Sequence, residues 1–186
     1  MIDRIKEDKE ALAQLKAKEK EAFEQEDLVL LYDLLDTYLA LDIEAESIDR
    51  LYQKILEIAF DRLADKLTQG EAFDLSDETD RYTARAIYEH ALERWDAKDY
   101  KGANELFLVL SYMIEEENIK KSLLLSLGLT AQKKSLDHFI EEYVDRSAIE
   151  EESFFFNALR PNADNYLTAN AKLIERELEK IRKLAQ

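Results

Sequence analysis

Residues 86–110, AIYEHALERWDAKDYKGANELFLVL, constrain this chain more than any other stretch. Tyr88, Leu92 and Trp95 recur at i, i+4 and i+7, the spacing that puts side chains on one face of an α-helix. Asp96, Ala97, Lys98 and Asp99 break the apolar pattern. Tyr100 resumes it, and Ala103, Leu106, Phe107 and Leu110 share a second helical face. The stretch reads as two helices joined by a polar turn. Small Ala91 and small Ala103 on the facing sides let the two backbones approach closely.

The rest of the chain is built for helices as well. It carries 3 Gly and 1 Pro in 186 residues, and strong helix formers (Ala, Leu, Glu, Lys) dominate. The expected fold is all-α: a helical-hairpin array over residues 71–186, preceded by an N-terminal helical segment, residues 1–70. That length supports one substantial core or two small ones.

Residues 1–26 are charge-rich, with Ile2, Ile5, Leu12, Leu15 and Phe23 as a thin apolar seam. So narrow a seam must pack on something else. It is either a solvated amphipathic helix or a self-association arm. Residues 27–41 are far more apolar, with Leu28, Leu31, Leu35, Tyr38 and Leu39 on one broad face. Ser47 is placed to cap the next helix, which the pattern carries to Thr68 with Ile48, Leu51, Ile55, Ile58 and Leu63 inward. Residues 69–79, QGEAFDLSDET, read as a linker ending in Ser76 as a helix cap, with Asp77 and Glu78 in the first turn, where the dipole favours acids.

Beyond the first hairpin, the acidic run Glu115-Glu116-Glu117 reads as an interhelix loop or helix end. KKSLLLSLGLTAQKK is apolar nearly all round, as a helix buried on more than one side must be. Its mate is expected from Ser135 to Ile149. A blurred third unit follows: Ser153 to Leu159, a break at Arg160-Pro161-Asn162, then one closing helix from Asp164 to Gln186. Pro161 makes that break firm, and Lys180, Arg182 and Lys183 suit a helix C-terminus.

Charge limits the partners. The net charge of −16 argues against nucleic acid, which demands clustered Lys and Arg, and it is repelled by an anionic membrane surface. It suits a basic or aggregation-prone protein client. No cysteine is present, which fits a reducing cytosol. The N-terminus lacks a signal-peptide apolar run, and no stretch approaches 18 uninterrupted apolar residues, so the expected location is the cytoplasm. Of the two histidines, neither His90 nor His138 has an acid three residues before it, so the Glu-x-x-His pairs of a di-iron bundle are missing. No HExxH, GxSxG or phosphate-cradling glycine loop occurs. No enzymatic activity, metal or cofactor is expected.

The ordered set LSDET (75–79), IYEHALERW with DAKDYKGANELF (87–107), and LSLGLTAQ (125–132) ahead of FIEEY (139–143) resembles one known family. The spacing of Ala103 and Phe107 is that of the second helix of a tetratricopeptide repeat, and Leu127-Gly128 that of the first helix of the next. Together they resemble the class II chaperones of bacterial type III secretion, the tetratricopeptide-like chaperones of translocator proteins. The likeness covers residues 75–143; the family's first-turn glycine is Lys98 here, and its third repeat is barely recognisable. The resemblance implies a chaperone in the bacterial cytoplasm that holds an aggregation-prone translocator before export. The client's segment would lie extended in a concave groove lined by Tyr88, Leu92, Trp95, Leu125, Leu129 and Gln132. A general tetratricopeptide adaptor or regulatory scaffold is the alternative. Two placements of Tyr88, Leu92 and Trp95 are open, groove or core, because the repeat pattern would instead bury Ile87, His90, Ala91 and Arg94.

Overall fold

The computed structural model describes residues 9–43, 45–149 and 153–184. Ile2 and Ile5 lie outside them. Among the described residues nine α-helices form: α1 (Lys9–Gln25), α2 (Leu28–Ala40), α3 (Ala45–Gln69), α4 (Glu78–Asp96), α5 (Tyr100–Met113), α6 (Glu117–Ala131), α7 (Leu136–Tyr143), α8 (Asn162–Ala169) and α9 (Ala171–Leu184). No strand occurs among the described residues; an isolated antiparallel bridge joins Val144 and Leu159. The fold is an all-α array of helical hairpins, as the periodicity requires.

Helix α4 is the hub. It packs on α2, α3, α5 and α7, while α5 lies between α4 and α6. Ala84, Ala86, Ile87 and Ala91 of α4 are fully buried, and so are Ala103, Phe107 and Leu110 of α5. Asp99 opens α5 by accepting from the Gly102 N–H at 3.0 Å. Lys98, at the turn position where the resembled family carries glycine, has φ of +64°. A side chain there strains against its own carbonyl.

The apolar excess of residues 27–41 is covered by α3 and α4. Leu28, Leu31, Tyr32, Leu34, Leu35 and Tyr38 are buried, whereas Leu39, expected on the same face, is exposed. Beside them Glu19 of α1 is buried, accepting from the Tyr38 hydroxyl at 2.7 Å and pairing with Arg50. Segment 70–77 crosses to α4 over the surface, with Phe73 alone buried in the core. The Phe73 N–H donates to the Met113 carbonyl at 2.8 Å, and Lys66 pairs with the buried Asp80 at 2.7 Å.

Several boundaries differ from the sequence reading. Asp77, not Ser76, caps α4, because its carboxylate accepts from the Asp80 N–H at 2.9 Å while Ser76 folds back onto Asp74. Helix α3 begins at Ala45, so Ser47 lies inside its first turn. The helix expected from Ser135 to Ile149 starts at Leu136 with Ser135 as its cap, and it stops at Tyr143, since Val144 turns extended to pair with Leu159. The closing helix is two, broken at Asn170, whose backbone N–H and side chain both bond the Tyr166 carbonyl. Gly128 permits this corner: a Cβ there would stand 3.1 Å from the Tyr166 ring and 3.3 Å from Ile174.

Candidate peptide-holding groove

Helices α4 and α6 flank α5 and present their remaining faces to one side of the array. Residues 153–159 of the same chain fill that side. This is the stretch read as a blurred third unit, and it is not helical. Three consecutive phenylalanines, 154 to 156, explain why. A helix would fan them by about 100° per residue around its axis. Partly extended, they reach three different aromatic partners. Phe154 meets Tyr82 edge-on with ring centroids 5.1 Å apart, Phe155 lies 5.0 Å from Tyr88, and Phe156 lies 6.2 Å from Phe139.

The rings form a circuit. Phe155 touches Tyr88, Tyr88 touches Phe107, Phe107 touches Trp95, Trp95 stacks on Phe139 at 5.4 Å, and Phe139 returns to Phe156. Offset and edge-on pairs at such distances add to what area burial alone supplies. The Trp95 indole N–H is satisfied by the Lys134 carbonyl at 2.7 Å, in the turn before α7. That bond and the stack on Phe139 bring α7 against α4.

The backbone of Phe156 is gripped from both sides. Its N–H donates to the Tyr88 hydroxyl of α4 at 3.2 Å, and its carbonyl accepts from the Ser122 hydroxyl of α6 at 2.5 Å. Tyr88 and Ser122 are each 2% exposed. Burial raises the Tyr88 phenol well above its ordinary range, so it stays a neutral hydroxyl at any physiological pH. A peptide group held out of water must find partners, and here side chains on two helices supply both. The segment's base is pinned separately: the Asp145 N–H donates to Ala158 and the Arg160 N–H to Tyr143, either side of the Val144–Leu159 bridge.

Next to this grip, Arg85 of α4 is sandwiched between aromatic faces, 3.9 Å from the Tyr32 ring and 4.5 Å from the Phe154 ring. It pairs with Glu89 at 2.8 Å, and Glu89 also accepts from the Tyr32 hydroxyl at 2.8 Å. One cation thereby links the N-terminal helices, the array and the phenylalanine segment.

Of the six residues named from the sequence, Tyr88 and Trp95 come together in the aromatic circuit. Leu125 and Leu129 of α6 are fully buried in the same apolar core, and Leu92 is half-buried against it. Gln132 goes elsewhere, donating to Asn170 and accepting from Tyr166 at the α8–α9 corner. Ile87 and Ala91 are buried as well, so α4 has no free face on which groove and core could be told apart by pattern. His90 lies 2.9 Å from Glu93 and accepts from Arg94, and His138 stands edge-on to Tyr143.

Ser122, Phe139, Phe155 and Phe156 escaped the sequence reading. A signal for Ser122 was present: Ser122, Ser126 and Thr130 recur at i, i+4 and i+8 inside an otherwise leucine-rich helix. All three are buried, and the last two bond back to carbonyls one turn earlier. Comparison with protein-family models, with curated proteins and with solved structures gives no match for this chain.

Proposed function

We propose that the protein is a non-enzymatic chaperone of the class II type III secretion kind, acting in the bacterial cytoplasm. It grips an extended segment of a translocator client between α4 and α6 and keeps that client soluble until export. The observation that carries this reading is the two-sided grip on Phe156 by Tyr88 and Ser122. Main-chain hydrogen bonds give affinity for any extended chain, and pockets for alternate side chains give selectivity. The aromatic circuit around Trp95 is such a pocket. A pore-forming client exposes apolar surface, and capture of one apolar segment competes with its self-association.

Co-expression with a pore-forming translocator of a type III secretion system, followed by size-exclusion chromatography, tests this. The expected result is a soluble complex that Ser122→Ala weakens. A translocator that stays insoluble beside a soluble, folded partner refutes the reading. A second reading, a general tetratricopeptide adaptor, is favoured by the character of the grip itself. It contacts a peptide backbone and aromatic rings, neither of which is peculiar to exported proteins.

A further inference from the structure

We infer that residues 153–159 are a resident occupant of the groove, competing in cis with an incoming segment of the same chemistry. This rests on the groove reading above, but not on the identity of any client. The segment is held by its backbone as well as by its rings. Its central residue uses side-chain hydroxyls of α4 and α6 for both its N–H and its carbonyl, not the neighbouring strand or helix that buried backbone normally finds. Hydroxyls on the wall of a groove select for an extended backbone and not for one sequence. Such bonds transfer to any chain that lies there.

The side chains define what that chain must be. The first position takes an aromatic ring against Tyr82 and the Arg85 guanidinium. The second takes a ring against Tyr88, the third a ring against Phe139. The third residue must also present its N–H to Tyr88, so proline is excluded there. The partner chemistry is therefore an extended run of three aromatic or large apolar residues, with a free amide on the third. Besides these contacts, the described residues tie the segment at its base through the Val144–Leu159 bridge, the Arg160 N–H on the Tyr143 carbonyl and the Arg160 guanidinium on the Glu141 carbonyl, beside a turn at 146–148 that is exposed to solvent. A segment so tethered releases without unwinding a helix. While seated, it lowers the apparent affinity for an outside segment by the fraction of time the groove is vacant.

The test uses the full chain and a fluorescent peptide of residues 153–160, SFFFNALR, carrying a lysine tag for solubility. Binding is measured by anisotropy to the parent chain and to the double variant Phe155→Ser, Phe156→Ser. The double variant should bind at least about tenfold more tightly than the parent. A peptide with proline at the third aromatic position should bind neither. On the parent, saturating peptide should speed hydrogen exchange at the Phe156 and Asp145 amides, which the seated segment protects. Equal or absent binding by a double variant that still melts cooperatively overturns the inference. So does exchange at Phe156 that peptide leaves unchanged, and this measurement needs no variant, so a double variant that fails to fold does not hide the answer. A mixed dimer of parent and double variant would make a second copy the occupant and also overturn it. A peptide that competes beside a translocator that stays insoluble sinks the chaperone reading alone. A captured translocator with unchanged exchange sinks this inference alone.

Discussion

Trp95→Ala decides between two roles for the residue at the middle of the aromatic circuit. The side chain is 1% exposed, stacked on Phe139, edge-on to Phe107 and hydrogen-bonded to the Lys134 carbonyl. Truncating a buried Trp removes transfer free energy and leaves a cavity, together about 3–5 kcal/mol. The lost hydrogen bond adds little, because Lys134 is exposed and water replaces the indole at its carbonyl. For a chain of 186 residues each kcal/mol moves Tm by about 2–4 °C, so the variant should melt roughly 6–20 °C below the parent. Thermal unfolding by circular dichroism gives the shift. Trp95→Phe, which keeps a ring on Phe139, should recover most of it. Trp95 is the sole tryptophan, so its emission in the parent follows this site alone during the melt. A Trp95→Ala variant melting within about 2 °C of the parent would refute the placement of this ring in the core and return it to a solvent-facing groove.

Three further perturbations follow from the same structure. Burial lifts the Tyr88 phenol above its ordinary value of 10.0, so the unfolded chain ionises first on the alkaline side. Stability is then fully present below pH 10 and falls as pH rises further, by about 1.4 kcal/mol per pH unit for each such tyrosine; urea midpoints across pH 9–11 should fall less steeply in Tyr88→Phe. Lys98→Gly relieves the +64° backbone of an exposed turn residue and should raise stability by about 0.5–1 kcal/mol net of the added chain entropy, read as a higher urea midpoint. Gly128→Ala gains helix propensity but drives a methyl group into Tyr166 and Ile174, and should lower stability by about 1 kcal/mol in a thermal melt.

The helices were legible because their signals are local. Tyr100 as the first residue of α5, the start of α7 at Ser135 to within a residue and the break at Pro161 all rest on patterns spanning a few residues, and the structure keeps each of them. Misreadings came where a distant partner outweighed the local pattern. Val144 would continue α7 by periodicity, yet Leu159 pairs with it. Gln132 sits one turn beyond Leu129 on the expected groove face, yet Asn170 and Tyr166 draw it to the opposite corner. The phenylalanine segment was the hardest case. Nothing within 153–159 says that Tyr88, some 68 residues earlier, and Ser122, 34 residues earlier, will take the N–H and the carbonyl of one residue. Its only local sign is three large rings in a row, which fit neither a helical stripe nor an alternating strand.

Helix α4 also fixes what residues 1–70 can contribute. The first helix of the hairpin array, α4, turns a second side away from α5. Helices α2 and α3 cover it, and Tyr32 reaches past it to stack on Arg85 and bond Glu89. The buried face of 28–41 is thus already spent within the chain. Among the described residues of this segment the exposed large apolar side chains are Leu30, Leu39 and Leu67, which are separated rather than contiguous in sequence. The same helices bear on the groove. Arg85 is held between Tyr32 and Phe154, so the seat of the first phenylalanine is built from Tyr82 and Arg85 of α4, with Tyr32 of the N-terminal segment behind the cation. Tyr32 is the residue through which the N-terminal helices reach that cation, 3.9 Å from the Arg85 guanidinium and bonded to its partner Glu89.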